Sequence, residues 1–374
     1  MINVLMIAYY FEPFKGVGAK RISYWAKNIV DLNKDISCDV ITATPQTTSS
    51  DKIRNLFYVP NTMKSILKYL IKDQGLGWAK DLKKFFRENK GTLKYDFVII
   101  TGGPFMHFGI SKCLRKVFRC KVILDFRDPF ANNPIFKTSL IKRLIKWMFE
   151  GRFIRNADYI IAVNSFLLKL LNTGKNLTNK FVIIENGYDN TIKVDVKKQK
   201  RQKKISMVYA GTFCGDIDPT MFLGIITAQQ FKNVFSFHHV GEKSGYLEDF
   251  SRLDNISSYG MINHKDTQEI INSCDIGLVF TGGNELDAPT KIFDYIGLKK
   301  PVLIVTDGEV KVGALEEITR GYPWTFWVEN SREEIIKMLR DLKNTNFGDY
   351  DFDNYRFSRR AGLEKLVTLL KRCK

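Results

Sequence analysis

The feature that most constrains this chain is a rhythm of short, continuous apolar runs, each followed by a segment of helical periodicity. In the first half the runs are VLMIAYY (4–10), CDVITA (38–43), YDFVIIT (95–101), KVILDF (121–126), DYIIAV (158–163) and KFVIIEN (180–186). Consecutive apolar positions mean that both faces of each strand must be covered, as they are in a parallel sheet flanked by helices. Amphipathic segments at 62–89, 105–118 and 138–155, and one running to about Leu32, fill the intervals. Such alternation predicts a doubly wound α/β sheet.

The rhythm restarts after KVDVKKQKRQKK (193–204), a charged stretch almost without large apolar residues. Strands are expected at 205–211, 233–241, 255–260, 275–283, 301–307 and 322–328, with helices at 219–231, 264–273, 289–298 and 331–343. The last residues form an amphipathic helix with Leu363, Leu366, Leu369 and Leu370 at helical spacing. A length of 374 residues suits two such domains. The expected division is 1–190, a basic linker at 191–204, 205–353, and a terminal helix at 354–374. Two Rossmann-like domains facing a cleft would put ligands outside the carboxyl ends of their strands.

No apolar run reaches the ~18 residues of a membrane span. The opening MINVLMIAYYF lacks a basic n-region and reads as a buried strand rather than a leader. Six cysteines without CxxC spacing suit reduced thiols in the cytoplasm. Charge is uneven: residues 1–190 carry +16 and residues 205–374 carry −4 of the net +18. A basic first half attracts phosphate, in a nucleic acid, an anionic lipid or a phosphorylated carrier. No helix-turn-helix, RNP-like or zinc-finger signature accompanies it, so nucleic acid is not the expected partner.

Five short motifs could carry chemistry. Gly16 and Gly18 precede a helix whose free N–H groups suit an anion, and Arg21 stands where a dinucleotide fingerprint has its third glycine. TGGPFMHFG (101–109) ends a strand in glycines and brings His107 to the start of the next helix, an imidazole expected at the cleft edge near neutrality. LDFRDPF (124–130) clusters Asp125, Arg127 and Asp128 at a strand end, where carboxylates could orient hydroxyls and Arg127 could meet a phosphate.

NELDAPTKIFDYIGLKKPVLIV (284–305) is the most informative. Lys291 in the first helical turn would neutralise a leaving diphosphate, while Asp294 on the same face and Glu285 in the preceding loop could accept bonds from hydroxyls. In VYAGTFCGDID (208–218), Gly211-Thr212 forms a phosphate-compatible turn. Asp216-x-Asp218 has the DxD form, but Asp218-Pro219 reads as a helix cap. His238 and His239, adjacent in a strand, point to opposite faces and cannot chelate together. No zinc-spaced cluster occurs and no metal is expected.

Taken in order, YYFEPFKGVGAKR, TGGPFMHFG, DFRDPF, IIENGYD (183–189), YAGTF, YGMINHKDTQEIINSCDIGLV (259–279) and PTKIFDYIGLKKPVL (289–303) resemble the GT-B glycosyltransferases, specifically the bacterial family 4 group that builds capsule and O-antigen. The resemblance covers nearly the whole chain. It implies that the second domain holds a nucleotide-sugar donor through Gly211, Thr212, Met261, Glu285, Thr290, Lys291 and Asp294, with Asp294 in place of the family's usual glutamate. Position 286 is Leu, with Glu285 and Asp287 flanking it.

It also implies an acceptor near Gly16, Gly18, His107 and Asp128; Arg21 and Arg127 are expected on its phosphates, with His107, Asp128 and Lys291 in the chemistry. Transfer would retain configuration, and neither cofactor nor metal would be required. With the basic first half, the expected acceptor is a lipid-diphosphate-linked saccharide, and the expected location is the cytoplasmic face of an anionic membrane, with 62–89 and 137–155 against the lipid. Two other readings remain open: a GT-B-like sugar-nucleotide epimerase, and a non-enzymatic binder of nucleic acid or membrane.

Overall fold

A computed structural model describes residues 1–14, 16–46, 51–63, 71–133, 138–172, 178–189, 192, 204–213, 217–242, 245–250, 252–348 and 352–374. The chain divides into two units, Met1–Glu185 with Arg359–Lys374, and Asn186–Ser358. The linker expected at 191–204 lies almost wholly outside the described residues. The terminal segment divides, with Arg359 onward belonging to the first unit.

Among the described residues the first unit holds β1 (Ile2–Ala8), β2 (Ile36–Thr42), β3 (Asn55–Tyr58), β4 (Phe97–Thr101), β5 (Lys121–Phe126), β6 (Tyr159–Ala162) and β7 (Phe181–Ile183). Their order across the sheet is β3-β2-β1-β4-β5-β6-β7, with every pairing parallel. Its helices are α1 (Val17–Leu32), α2 (Gly75–Glu88), α3 (Ser111–Phe118), α4 (Leu140–Asn156), α5 (Ser165–Asn172) and, from the end of the chain, α11 (Arg359–Arg372). α1 and α11 cover one face. Ile22, Trp25, Ala26 and Ile29 from α1 meet Leu363, Leu366, Val367 and Leu370 from α11 over Val4, Met6 and Ala8. The leucine spacing of α11 thus serves the first unit's core, each buried leucine contributing roughly 1.5–3 kcal/mol.

The second unit repeats the plan with β8 (Ile205–Ala210), β9 (Phe235–Val240), β10 (Ile256–Ser258), β11 (Ile276–Thr281), β12 (Val302–Thr306) and β13 (Thr325–Glu329), ordered β10-β9-β8-β11-β12-β13 and again parallel. Its helices are α6 (Thr220–Thr227), α7 (His264–Ser273), α8 (Lys291–Gly297), α9 (Gly313–Thr319) and α10 (Arg332–Asn344). The pleat sends Met207 and Tyr209 to a core shared with α6 and α10, and Val208 to one shared with α7, α8 and α9.

Both sheets are doubly wound about a point where the strand order reverses, between β1 and β4 in the first unit and between β8 and β11 in the second. The loops leaving these strands at their carboxyl ends flank the crevice where such sheets bind ligands.

Candidate functional site

In the second unit, the loops after β8 and β11 flank that point. α8 opens at Lys291, preceded by Thr290 at the cap position. The Lys291 ammonium lies 3.7 Å from the centroid of the Tyr209 ring. This cation–π contact helps hold the long side chain over the end of β8. Tyr209 stacks on Phe213 at 4.2 Å with 9° between the planes, and Phe213 stacks in turn on His239. The Tyr209 hydroxyl donates to the Thr212 carbonyl at 3.4 Å. A Cβ added to Gly211 would stand 2.9 Å from Lys291 Nζ, so this glycine is what lets the ammonium approach the turn.

Sequence reasoning set the face of His239 but gave it no role at this turn. Its Nε2 bonds the Gly211 carbonyl at 2.9 Å, which fixes that nitrogen as the donor, and Nδ1 pairs with Ser258 Oγ at 3.2 Å. Desolvation lowers its pKa, the Gly211 bond opposes the shift and the nearby Lys291 adds to it. The imidazole is therefore held neutral and braces the turn beneath Lys291. His238 faces the other way, as strand alternation requires, with Nδ1 2.9 Å from the Tyr259 hydroxyl.

The loop after β11 carries an exposed Glu285 and a half-buried Asp294 in the first turn of α8. Glu285 is placed through its backbone, its carbonyl accepting from Ala314 N at 2.8 Å. Asp287 is committed within the loop, where Oδ2 accepts from Thr281 Oγ1 at 2.7 Å. Met261, beyond β10, is 71% exposed. Asp216 of the DxD lies outside the described residues, while Asp218 Oδ1 accepts from Thr220 N at 2.8 Å, as a capping residue does.

In the first unit, the loops after β1, β4 and β5 meet. Gly16 caps α1, and Gly18 lies against Arg127 and Tyr10. Two expectations are corrected here. Arg21, expected to meet an acceptor phosphate, is buried: it donates to Asp125 Oδ1 at 3.1 Å and to the Glu185 carbonyl at 2.7 Å, and lies 4.2 Å over the Trp25 ring. Asp125 also accepts from Thr101 Oγ1 at 2.9 Å, so this pair serves the core. Arg127 ties two loops together, donating to the Gly18 carbonyl at 2.7 Å and to the Gly102 carbonyl.

His107 also departs from expectation. It is fully buried, with Nε2 donating to the Thr101 carbonyl at 3.1 Å and the ring 5.0 Å from that of Trp78. Burial pushes its pKa down to about 3, so it is a neutral packing residue rather than an imidazole at a rim. Asp73 beside it, unremarked in the sequence, accepts from the backbone N–H groups of Gly75, Phe105 and Met106 and joins α2 to the β4 loop.

Asp128 does reach the surface. Its flanks are crowded enough for desolvation to raise its carboxyl, with Arg127 partly opposing. After β1, Tyr10 and Phe14 stack at 4.4 Å, Phe14 being exposed.

No family model matches the chain, and no curated protein matches it in sequence. Solved structures do match in fold. Sucrose-phosphate synthase from Thermosynechococcus elongatus is 12% identical at a TM-score of 0.69, covering 100% of this chain and 99% of that one. Anabaena Alr3699/HepE in complex with UDP and glucose is 13% identical at 0.64, with 100% of both chains covered. A UDP-N-acetylglucosamine 2-epimerase is 13% identical at 0.57, over 99% and 96%. Two Rossmann-like α/β domains with these neighbours constitute the GT-B fold.

Proposed function

We propose that this chain is a glycosyltransferase that moves a hexosyl or N-acetylhexosaminyl unit from a nucleotide-sugar to a saccharide carried on a lipid diphosphate. The observation that carries the reading is the Lys291 ammonium held over Tyr209 beside Gly211, at the reversal point of the second sheet. There it can meet the charge that develops on a departing diphosphate, the largest single contribution such a site can make. The UDP and glucose in the HepE structure support a nucleotide-sugar donor.

Asp294 and Glu285 then accept from ribose or sugar hydroxyls, Thr290 and Thr212 border the phosphates, and Met261 borders the base. With Lys291 supplying the charge, no metal is required. Asp128 takes the acceptor hydroxyl's proton, its raised carboxyl suiting it to exchange protons nearer neutrality. Gly16 and Gly18 receive the acceptor side. Among the described residues no side chain stands out as a covalent nucleophile, and a direct front-face substitution retains configuration. The +16 of residues 1–190 favours a phosphorylated lipid carrier, and with it capsule or O-antigen assembly at the cytoplasmic membrane face.

The decisive experiment has two steps. Thermal unfolding is measured with UDP-, GDP- and dTDP-sugars, because a bound donor raises the midpoint. The stabilising donor is then incubated with and without a lipid-diphosphate saccharide. Acceptor-dependent product supports the reading. An epimer formed without acceptor replaces it with the epimerase, and tight, salt-dependent DNA binding without donor stabilisation replaces it with a nucleic-acid binder.

A further inference from the structure

The sequence reading sets two basic helical segments of the first unit against lipid, and the structure separates them. α2 buries its apolar side chains, Trp78, Ala79, Leu82 and Phe86, and turns lysines outward. α4 does the reverse. Leu140 is 72% exposed, Ile141 73%, Leu144 59%, Trp147 48% and Met148 61%.

At 3.6 residues per turn these five positions fall in one stripe of about 120°, pointing out of the unit. Arg143 lies along one edge of the stripe, Arg152 along the other and Arg155 at its end, all exposed. The helix contains one acid, Glu150, and it is turned inward, where its carboxylate accepts from Phe130 N and Ala131 N at 3.1 Å each. Lys146 also leans inward, 5.3 Å from the Phe130 ring. Every charge that the stripe's rim offers to solvent is therefore positive.

From this arrangement we infer that α4 is an interfacial anchor. It lies in the plane of an anionic bilayer surface with Leu140, Ile141, Leu144, Trp147 and Met148 among the acyl chains and Arg143, Arg152 and Arg155 on lipid phosphates. An apolar stripe with a cationic rim is the pattern of a helix that lies on a membrane, and among the described residues no helix is long and apolar enough to cross one. Trp147 sits mid-stripe, where an indole can span the headgroup boundary. A second copy of the chain fits less well, because the stripe carries no acid to receive a partner's arginines. The inference rests on this face alone and does not require the transferase reading.

The test uses the full chain and two kinds of vesicle, phosphatidylcholine alone and phosphatidylcholine containing phosphatidylglycerol. The wild-type chain should sediment with the anionic vesicles at least about tenfold more tightly than with the neutral ones, and the Trp147 emission should shift to the blue, a shift absent from Trp147→Phe. Leu144→Glu/Trp147→Glu should abolish sedimentation while keeping the unfolding midpoint and any nucleotide stabilisation. Arg143→Gln/Arg152→Gln should weaken it at least about threefold.

Wild-type chain that ignores anionic vesicles overturns the inference, as does a Glu double variant that binds them like wild type. So does a Glu variant that instead converts a dimer to a monomer by sedimentation velocity. Vesicle binding with no nucleotide stabilisation would leave the anchor standing and remove the transferase reading.

Discussion

Lys291 rests its ammonium on the Tyr209 ring, and Gly211 is the residue whose missing side chain makes room for it. The π face orients the lysine over the end of β8. Replacing Lys291 with Ala should lower kcat/KM for sugar transfer by about 10²–10³, the loss found when one preorganised transition-state donor is removed. Tyr209→Leu, which keeps the lysine but removes its seat, should give a smaller loss. Steady-state kinetics with the stabilising donor measure both, and a Lys291→Ala enzyme with near-wild-type turnover would end the assignment.

Two glycines near this lysine should fail in different ways. In Gly211→Ala the new methyl meets Lys291 Nζ and Cε at 2.9 and 3.1 Å, atoms at the far end of a flexible chain. Gly211 has φ +156°, which alanine adopts only under strain, so donor affinity should fall sharply and the unfolding midpoint should drop as well, by less than in Gly313→Ala. In Gly313→Ala the backbone has φ +72° and the methyl meets Glu285 Cα, C and O, all within 2.6 Å. The Glu285 loop must move, and stability should drop by about 1–3 kcal/mol. Denaturant melts and donor titrations on both variants separate the outcomes; equal effects on both readouts would contradict this division.

Arg21 offers a test of structural against ligand-binding roles. Asp125→Ala would leave the buried Arg21 guanidinium without its carboxylate and should destabilise the first unit by about 3–5 kcal/mol. Asp128→Asn, at the surface, should leave stability nearly unchanged while reducing turnover. If Asp125→Ala keeps its melting midpoint and instead raises KM for the acceptor, the pair belongs to the site after all.

His107 predicts a pH dependence. Its folded-state pKa of about 3 lies below the ordinary value of 6.5, so between those values the unfolded chain takes up a proton that the folded chain refuses. The stabilisation is complete above pH 6.5 and declines as pH falls toward 3, at up to about 1.4 kcal/mol per pH unit. His107→Gln should flatten that limb, and urea midpoints taken across the window would show it. Parallel limbs for the two proteins would mean that His107 ionises normally when folded.

Most of the fold was legible because the strands announce themselves as consecutive apolar runs. β3 escaped because it is an edge strand, with Asn55 and Tyr58 exposed and too few buried positions to form such a run. α5 and α9 escaped because eight and seven residues give helical periodicity little room. The place of Lys291 at the start of α8 was legible from PTKIFDYIG. The arginines misled, since a basic residue beside a glycine loop reads alike whether it faces a ligand or the interior. What decides is a partner far off in sequence: Asp125 and Glu185 for Arg21, Gly18 for Arg127. His239 shows the same limit. Alternation set its face, while its bond to the Gly211 carbonyl came only with the sheet.

The placement of α11 imposes an order on the chain's synthesis. The second unit is one continuous stretch, Asn186–Ser358, and can finish folding as soon as that stretch has left the ribosome. The first unit is begun earlier but lacks Leu363, Leu366, Val367 and Leu370, which close its core over α1 and β1. Until translation reaches those residues, Ile22, Trp25 and Ile29 lack part of their cover. The half of the molecule made first is therefore the half completed last, and a nascent chain halted near Ser358 presents an open apolar face for chaperones to occupy.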